Sequence, residues 1–130
     1  VHNDLTAPVA VVLPAKPSSC SQARRLVEEA VTTWRLPDEL GDDAALVVTE
    51  LVSNGADHAK GPLRLTVSRT ETGVLIEVFD RSAELPTLRP VEPDSARGRG
   101  MIIVNALSSR WGVTPSDDGK TVWAELTPTV

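Results

Sequence analysis

Glu50-Leu51-Val52-Ser53-Asn54-Gly55-Ala56-Asp57-His58-Ala59 closes a long apolar run and carries the polar residues from which the rest of the chain is read. Around it, Ala44, Leu46, Val47, Val48, Leu51, Val52 and Ala56 put apolar groups on most sides of a helix expected from about Asp42 to Ala59. A helix that apolar should be largely buried. Glu50, Asn54, Asp57 and His58 nevertheless recur at i, i+4, i+7 and i+8, which at 3.6 residues per turn forms one strip. An unpaired carboxylate is costly to bury. The strip is therefore either the solvated face of an amphipathic helix or the wall of a cavity that supplies partners. In the second case a Glu and an Asn one turn apart suit a metal-phosphate site. The amide oxygen, waters and phosphates can share a magnesium ion, and the Glu can orient or deprotonate an attacking hydroxyl.

Working outward, Val9–Leu13 reads as a short buried strand ended by Pro14, and Ser18 or Ser19 is placed to cap a helix running to about Trp34. Ala23, Leu26, Val27, Ala30, Val31 and Trp34 keep helical spacing there. Leu36-Pro37-Asp38 is expected to break the chain before the second helix, and Gly61-Pro62 to stop that helix. Leu63–Arg69 and Val74–Asp80 then alternate as strands joined by a turn at Glu71-Thr72-Gly73. Asp80 shares a face with Val74, Ile76 and Val78, so it should point where the core points. It either caps the turn that follows or accepts a hydrogen bond from a ligand amine. Residues 81–99, with Pro86, Pro90 and Pro93, form an irregular stretch of the length often used as a lid. Gly98-Arg99-Gly100 ends it and opens a helix from Met101 to about Ser108. Glycines there let a backbone approach a ligand, and a helix N-terminus favours anions; alone, such a pair also reads as an ordinary loop-to-helix turn. Strands Arg110–Thr114 and Lys120–Leu126, joined at Ser116-Asp117-Asp118-Gly119, close the chain. Two hairpins with helices to one side predict an α+β fold, a two-layer α/β sandwich with a mostly antiparallel sheet. Strict βαβ alternation, and with it a doubly wound parallel sheet, is absent.

Composition fits one domain spanning residues 1–130. The 130 residues are 41% apolar and 24% charged, ordinary for a globular chain. Thirteen Lys and Arg against 18 Asp and Glu give a net charge of −5, which argues against direct nucleic-acid binding. The longest apolar runs, such as Val9–Leu13, are far short of the roughly 20 residues a membrane-spanning helix needs. A single cysteine, Cys20, rules out an intrachain disulfide and a cysteine-rich zinc site, and is consistent with a reducing, cytoplasmic setting. No signal peptide is visible, and the chain begins at Val1 rather than Met, which leaves room for native residues before it. Trp34, Trp111 and Trp123 are expected as core or interface residues, because no basic groove accompanies them.

Glu50…Asn54…His58, then Asp80, then Gly98-x-Gly100, then Gly119-Lys120-Thr121, taken in this order over about Ser18 to Leu126, resemble the Bergerat-fold (GHKL) ATPases. In its length and the form of these boxes the chain is most similar to the anti-sigma-factor serine kinases. The resemblance implies an ATP-binding fold and a kinase that sequesters a sigma factor and phosphorylates a STAS-type anti-anti-sigma protein, with ATP and magnesium as cofactors and a homodimer as the common assembly. It implies Glu50 as the general base and Asn54 as the magnesium ligand, with His58 near the phosphates or supporting the fold. It also implies Asp80 as the adenine-reading carboxylate, Gly98, Arg99, Gly100 and Met101 around the phosphates, and Thr121 facing the adenine pocket from a late strand. Two departures accompany it. The D-x-G-x-G run of the wider family is here Asp80-Arg81-Ser82-Ala83-Glu84, with neither glycine, which predicts a stiffer or shifted adenine side and weaker nucleotide affinity. Gly55 stands where this branch usually has Ala, at a helix cost of about 1 kcal/mol. The competing readings are a nucleotide-dependent switch without kinase activity, an interaction module that has lost ATP and, last, a histidine-kinase catalytic domain, for which no helical pair bearing a substrate His precedes the boxes.

Overall fold

A computed structural model describes residues 7–58, 61–82 and 97–128, with the backbone alone at 97–100. The described elements are β1 (Val9–Leu13), α1 (Ser19–Thr33), α2 (Asp38–His58), β2 (Leu63–Arg69), β3 (Val74–Asp80), α3 (Arg97–Leu107), β4 (Arg110–Ser116) and β5 (Gly119–Leu126). The five strands form one antiparallel sheet in the order β1-β2-β3-β5-β4. Alternation decides which residues face inward: Leu63, Leu65 and Val67 of β2, Val74, Ile76 and Val78 of β3, and Val122, Ala124 and Leu126 of β5 are all buried. On that face α2 lies over the middle strands, α1 contacts α2 and β2, and α3 contacts α2 and β4. Helix stripes from α1 (Ala23, Val27, Ala30, Val31) and α2 (Ala44, Val47, Val48, Leu51, Val52) complete one core. The α+β two-layer sandwich is thus the observed architecture.

The three strands before residue 81 have the expected bounds, β2 and β3 because they alternate between strong turn signals; β1, expected as a buried strand, is an edge strand of the sheet with Val12 62% exposed. The helices differ at their starts. α2 begins at Asp38 rather than Asp42: the chain does break before Pro37, as expected, but the helix starts directly after it, with Pro37 O accepting from Leu40 N–H (3.0 Å) and Gly41 N–H (3.3 Å). Proline has no N–H to lose at a helix start, and Asp38 and Glu39 complement the dipole there. Ser18 takes the cap position of α1 without a side-chain cap bond, and Ser19 Oγ donates to Pro14 O instead (2.6 Å). α3 begins at Arg97 rather than Met101, so Gly98, Arg99 and Gly100 form its first turn and do not precede it. Burial of Met101 and Val104 in the core outweighs the weak local preference of glycine against helix. β4 runs on through Pro115, which an edge strand tolerates. Most of the expected lid, residues 83–96, lies outside the described residues.

The tryptophans divide. Trp34 is core, Trp111 packs against it with Nε1–H donating to Asn105 Oδ1 (3.0 Å), and Trp123 lies on the sheet's outer face over Gly112.

Candidate functional site

α2 positions the polar strip. Its α1-facing side is marked by Gly41, packed on Val31, and by Thr49, whose hydroxyl receives a bond from Arg24 Nη1 (3.4 Å). At about 100° per residue, Glu50, Asn54 and His58 share one flank of α2, and Glu50 lies near enough to Cys20 of α1 to act on its thiol. All three are half-buried, whereas Asp57 is exposed; the expected strip therefore divides, with Asp57 on the solvent side. Asn54 Oδ1 is buried and has no hydrogen-bond partner among the described residues. Burial raises the Glu50 carboxyl above its ordinary value of 4.5. Desolvation also pushes the Cys20 thiol up from 9.0, with Arg24 opposing and Glu50 adding to the rise, and its Sγ–H donates to Thr49 O (3.7 Å). Cys20 is thus held as a thiol, the inert state expected of it.

Gly55 explains how this flank is set against the sheet. A Cβ there would stand 3.1 Å from Leu63 Cδ2 and 3.6 Å from Val78 Cγ1. The bare backbone lets α2 settle onto β2 and β3, and Val78 is two residues before Asp80 on the same face of β3. Just past the helix, Gly61 returns beside Arg81. The C-terminal half of α2, with Asn54 and His58, and the end of β3, with Asp80, therefore meet at one end of the sheet.

Asp80 is fully buried and opposite Lys120 in the ladder. Its Oδ1 accepts from Lys120 Nζ (2.9 Å) and from Ser82 N–H (2.9 Å), so the turn-capping role and an ion pair coexist on one oxygen. Its Oδ2 is buried and unpartnered among the described residues. Both side chains of the pair are 1% exposed. Gly119 makes the pairing possible: a Cβ there would sit 2.0 Å from Asp80 O, so only glycine lets β5 start against the end of β3.

Burial alternates along β5, placing Lys120, Val122, Ala124 and Leu126 inward and Thr121 outward beside Phe79. Thr121 is on the opposite face of the sheet from Asp80, because consecutive strand residues point to opposite sides. The residue of β5 that meets Asp80 is Lys120. A signal for it was present in the sequence: alternation puts both Lys120 and Asp80 on inward faces, and a lone inward charge needs a counter-ion.

The glycine pair is placed at the opening of α3. The far end of α3 is tied to β5 by Ser109 N–H to Glu125 O (2.8 Å), the end of that strand remote from Lys120. The N–H groups of the first turn, Arg97 to Gly100, have no acceptor within an α-helix and form the type of terminus that takes anions. Among the described residues no cluster of three or more His, Cys, Asp or Glu is placed to hold a metal, and no helix is long and apolar enough to cross a membrane. The one buried orphan oxygen on the α2 flank, Asn54 Oδ1, fits a hard cation that draws its other ligands from water and phosphate.

A family model for the histidine kinase-like ATPase domain matches residues 13–126. Among solved structures, the chain is similar to that of the RsbU and RsbW domains of Rv1364c from Mycobacterium tuberculosis, with a TM-score of 0.71 at 17% identity. The match covers 95% of this chain and 34% of that one, so the chain spans about a third of its length. At that identity the likeness is one of fold. No curated protein is significantly similar.

Proposed function

The chain belongs to the histidine kinase-like ATPase family, and from that premise we propose that it is an ATP-binding anti-sigma factor with serine kinase activity toward a STAS-type anti-anti-sigma protein. The observation that carries the reading is the buried, unpartnered Asn54 Oδ1 one turn after a half-buried Glu50 whose carboxyl burial has made more basic. The fold likeness to a chain with an RsbW domain supports the anti-sigma branch.

In this reading Asp80 Oδ2 accepts from the adenine amine, and the backbone N–H groups of Arg97–Gly100 and Met101 cradle phosphate, with Arg99 adding positive charge. Asn54 Oδ1 is the protein ligand for magnesium, which when bound neutralises phosphate charge. His58, at the end of α2, supports this edge of the site. Glu50 takes the proton from the partner's serine hydroxyl as that oxygen attacks the γ-phosphorus and ADP departs. Positioning and electrostatics account for most of such a reaction. The chain would act in the cytoplasm, as a homodimer, holding a sigma factor until the antagonist engages it.

The test is transfer of label from γ-labelled ATP to candidate STAS proteins. Glu50→Ala is expected to bind ATP with unchanged affinity and to transfer about 10²–10⁴-fold more slowly, the usual contribution of a general base. Equal transfer by both proteins removes Glu50 from that role. A second reading, a nucleotide-dependent switch with little or no turnover, is favoured by the Lys120–Asp80 ion pair, which already engages one oxygen of the base-reading carboxylate. ATP binding without transfer to any STAS protein selects it.

A further inference from the structure

We propose that Lys120 reads the nucleotide base directly: with Asp80 it forms an acceptor–donor pair in which Asp80 Oδ2 accepts from the 6-amino group of adenine and Lys120 Nζ donates to the ring nitrogen beside it. The inference rests on the nucleotide reading above and adds a residue to it.

The argument begins from two unfilled valences. Lys120 and Asp80 are each 1% exposed, and their contact is a single bond, Nζ to Oδ1 at 2.9 Å. An ammonium has three donors, and among the described residues Nζ meets one acceptor. A carboxylate accepts on both oxygens, and Oδ2 meets no donor. A buried ion pair offsets its desolvation only when the remaining protons and lone pairs are also satisfied. Among the described residues this pair is incomplete on both sides.

What completes it is a flat group presenting a donor next to an acceptor. Adenine does so on either side of its exocyclic amine, through N1 or N7. The C-terminal half of α2, which carries the orphan Oδ1 of Asn54, and the end of β3, which carries Asp80, meet at one end of the sheet. Gly119 fixes the geometry, because the approach of β5 to Asp80 O holds Lys120 opposite Asp80. Loss of the two glycines after Asp80 fits the same picture: Ser82 is buried and its N–H locks Oδ1, leaving Oδ2 and Nζ as the atoms free to meet a base.

The test compares affinities of the full chain for ATP, 1-deaza-ATP, 7-deaza-ATP and purine riboside triphosphate, each with magnesium. Wild type is expected to bind one of the two deaza analogues about ten- to a hundredfold more weakly than ATP, the range for a hydrogen bond from a charged donor. Lys120→Met is expected to erase that difference. Three outcomes overturn the proposal while leaving the nucleotide reading intact: equal affinity for ATP and both deaza analogues with weaker binding of purine riboside triphosphate, unchanged discrimination in Lys120→Met, or tighter ATP binding by Lys120→Met, which would make the lysine a competitor of the base. Absence of any nucleotide binding by wild type overturns both readings. A second measurement needs no variant. The chain has three lysines, Lys16, Lys60 and Lys120, so ¹⁵N-lysine labelling isolates the buried ammonium. Its resonance is expected to move on addition of ATP and to stay in place with the discriminated analogue; identical shifts with ATP and both deaza analogues overturn the proposal.

Discussion

Arg35 adopts φ 56° directly after α1, a conformation that side chains with a Cβ rarely take. It is held there by a paired helix stop: Arg35 N–H donates to Thr32 O (3.1 Å) and Leu36 N–H to Val31 O (3.0 Å). Glycine has no such penalty, so Arg35→Gly is expected to raise stability by about 0.5–1 kcal/mol in thermal or urea denaturation. Nothing in the local sequence marks this position, because the usual glycine is missing. Glu50 gives a pH signature at the same scale. Burial raises its folded pKa, so its contribution to stability is full below the unfolded carboxylate range and is lost as pH rises through the folded value. Glu50→Gln is therefore expected to melt above wild type at pH 7, with the gap closing below about pH 4. A constant gap across that range would mean that Glu50 is fully solvated.

At the scale of elements, the junction of β3 and β5 is the sensitive point. Gly119→Ala places a methyl 2.0 Å from Asp80 O, a clash with backbone that no rotamer relieves. It is expected to cost about 3 kcal/mol, measurable as a lower urea midpoint, and to weaken nucleotide binding by displacing Lys120. Asp80→Ala strands the Lys120 ammonium in the core and is expected to cost about 3–5 kcal/mol. β2 and β3 were legible residue by residue because alternation is a period-2 signal with sharp turns at its ends. Helix starts were not. α2 and α3 each begin four residues before the expected position: α2 starts directly after Pro37 with Leu40 already in the core, and packing of Met101 carries α3 back through the Gly98–Gly100 turn, which reads locally as a break. The position of Thr121 on the outer face was available from that same alternation, which sets it out of phase with Asp80.

For the whole molecule, one core under three described helices accounts for a cooperative domain, and ligand linkage becomes its simplest test. ATP with magnesium at a hundred times its Kd is expected to add about 2.7 kcal/mol, which for a chain of this size is a rise of about 10 °C in Tm. No rise with any adenine nucleotide would select the pure interaction module. The sequence by itself determined the fold class, the order of the elements and the family's polar boxes. Hydrophobic period and turn chemistry are local properties, and the spacing of Glu50, Asn54, Asp80 and the glycine pair is linear information. Only tertiary structure decided which of those polar atoms lack partners and which neighbour meets Asp80. Hydrogen-bond satisfaction and the pairing of buried charges depend on groups far apart in the chain, here Asp80 and Lys120, brought together by strand register and by a glycine that allows two backbones to touch.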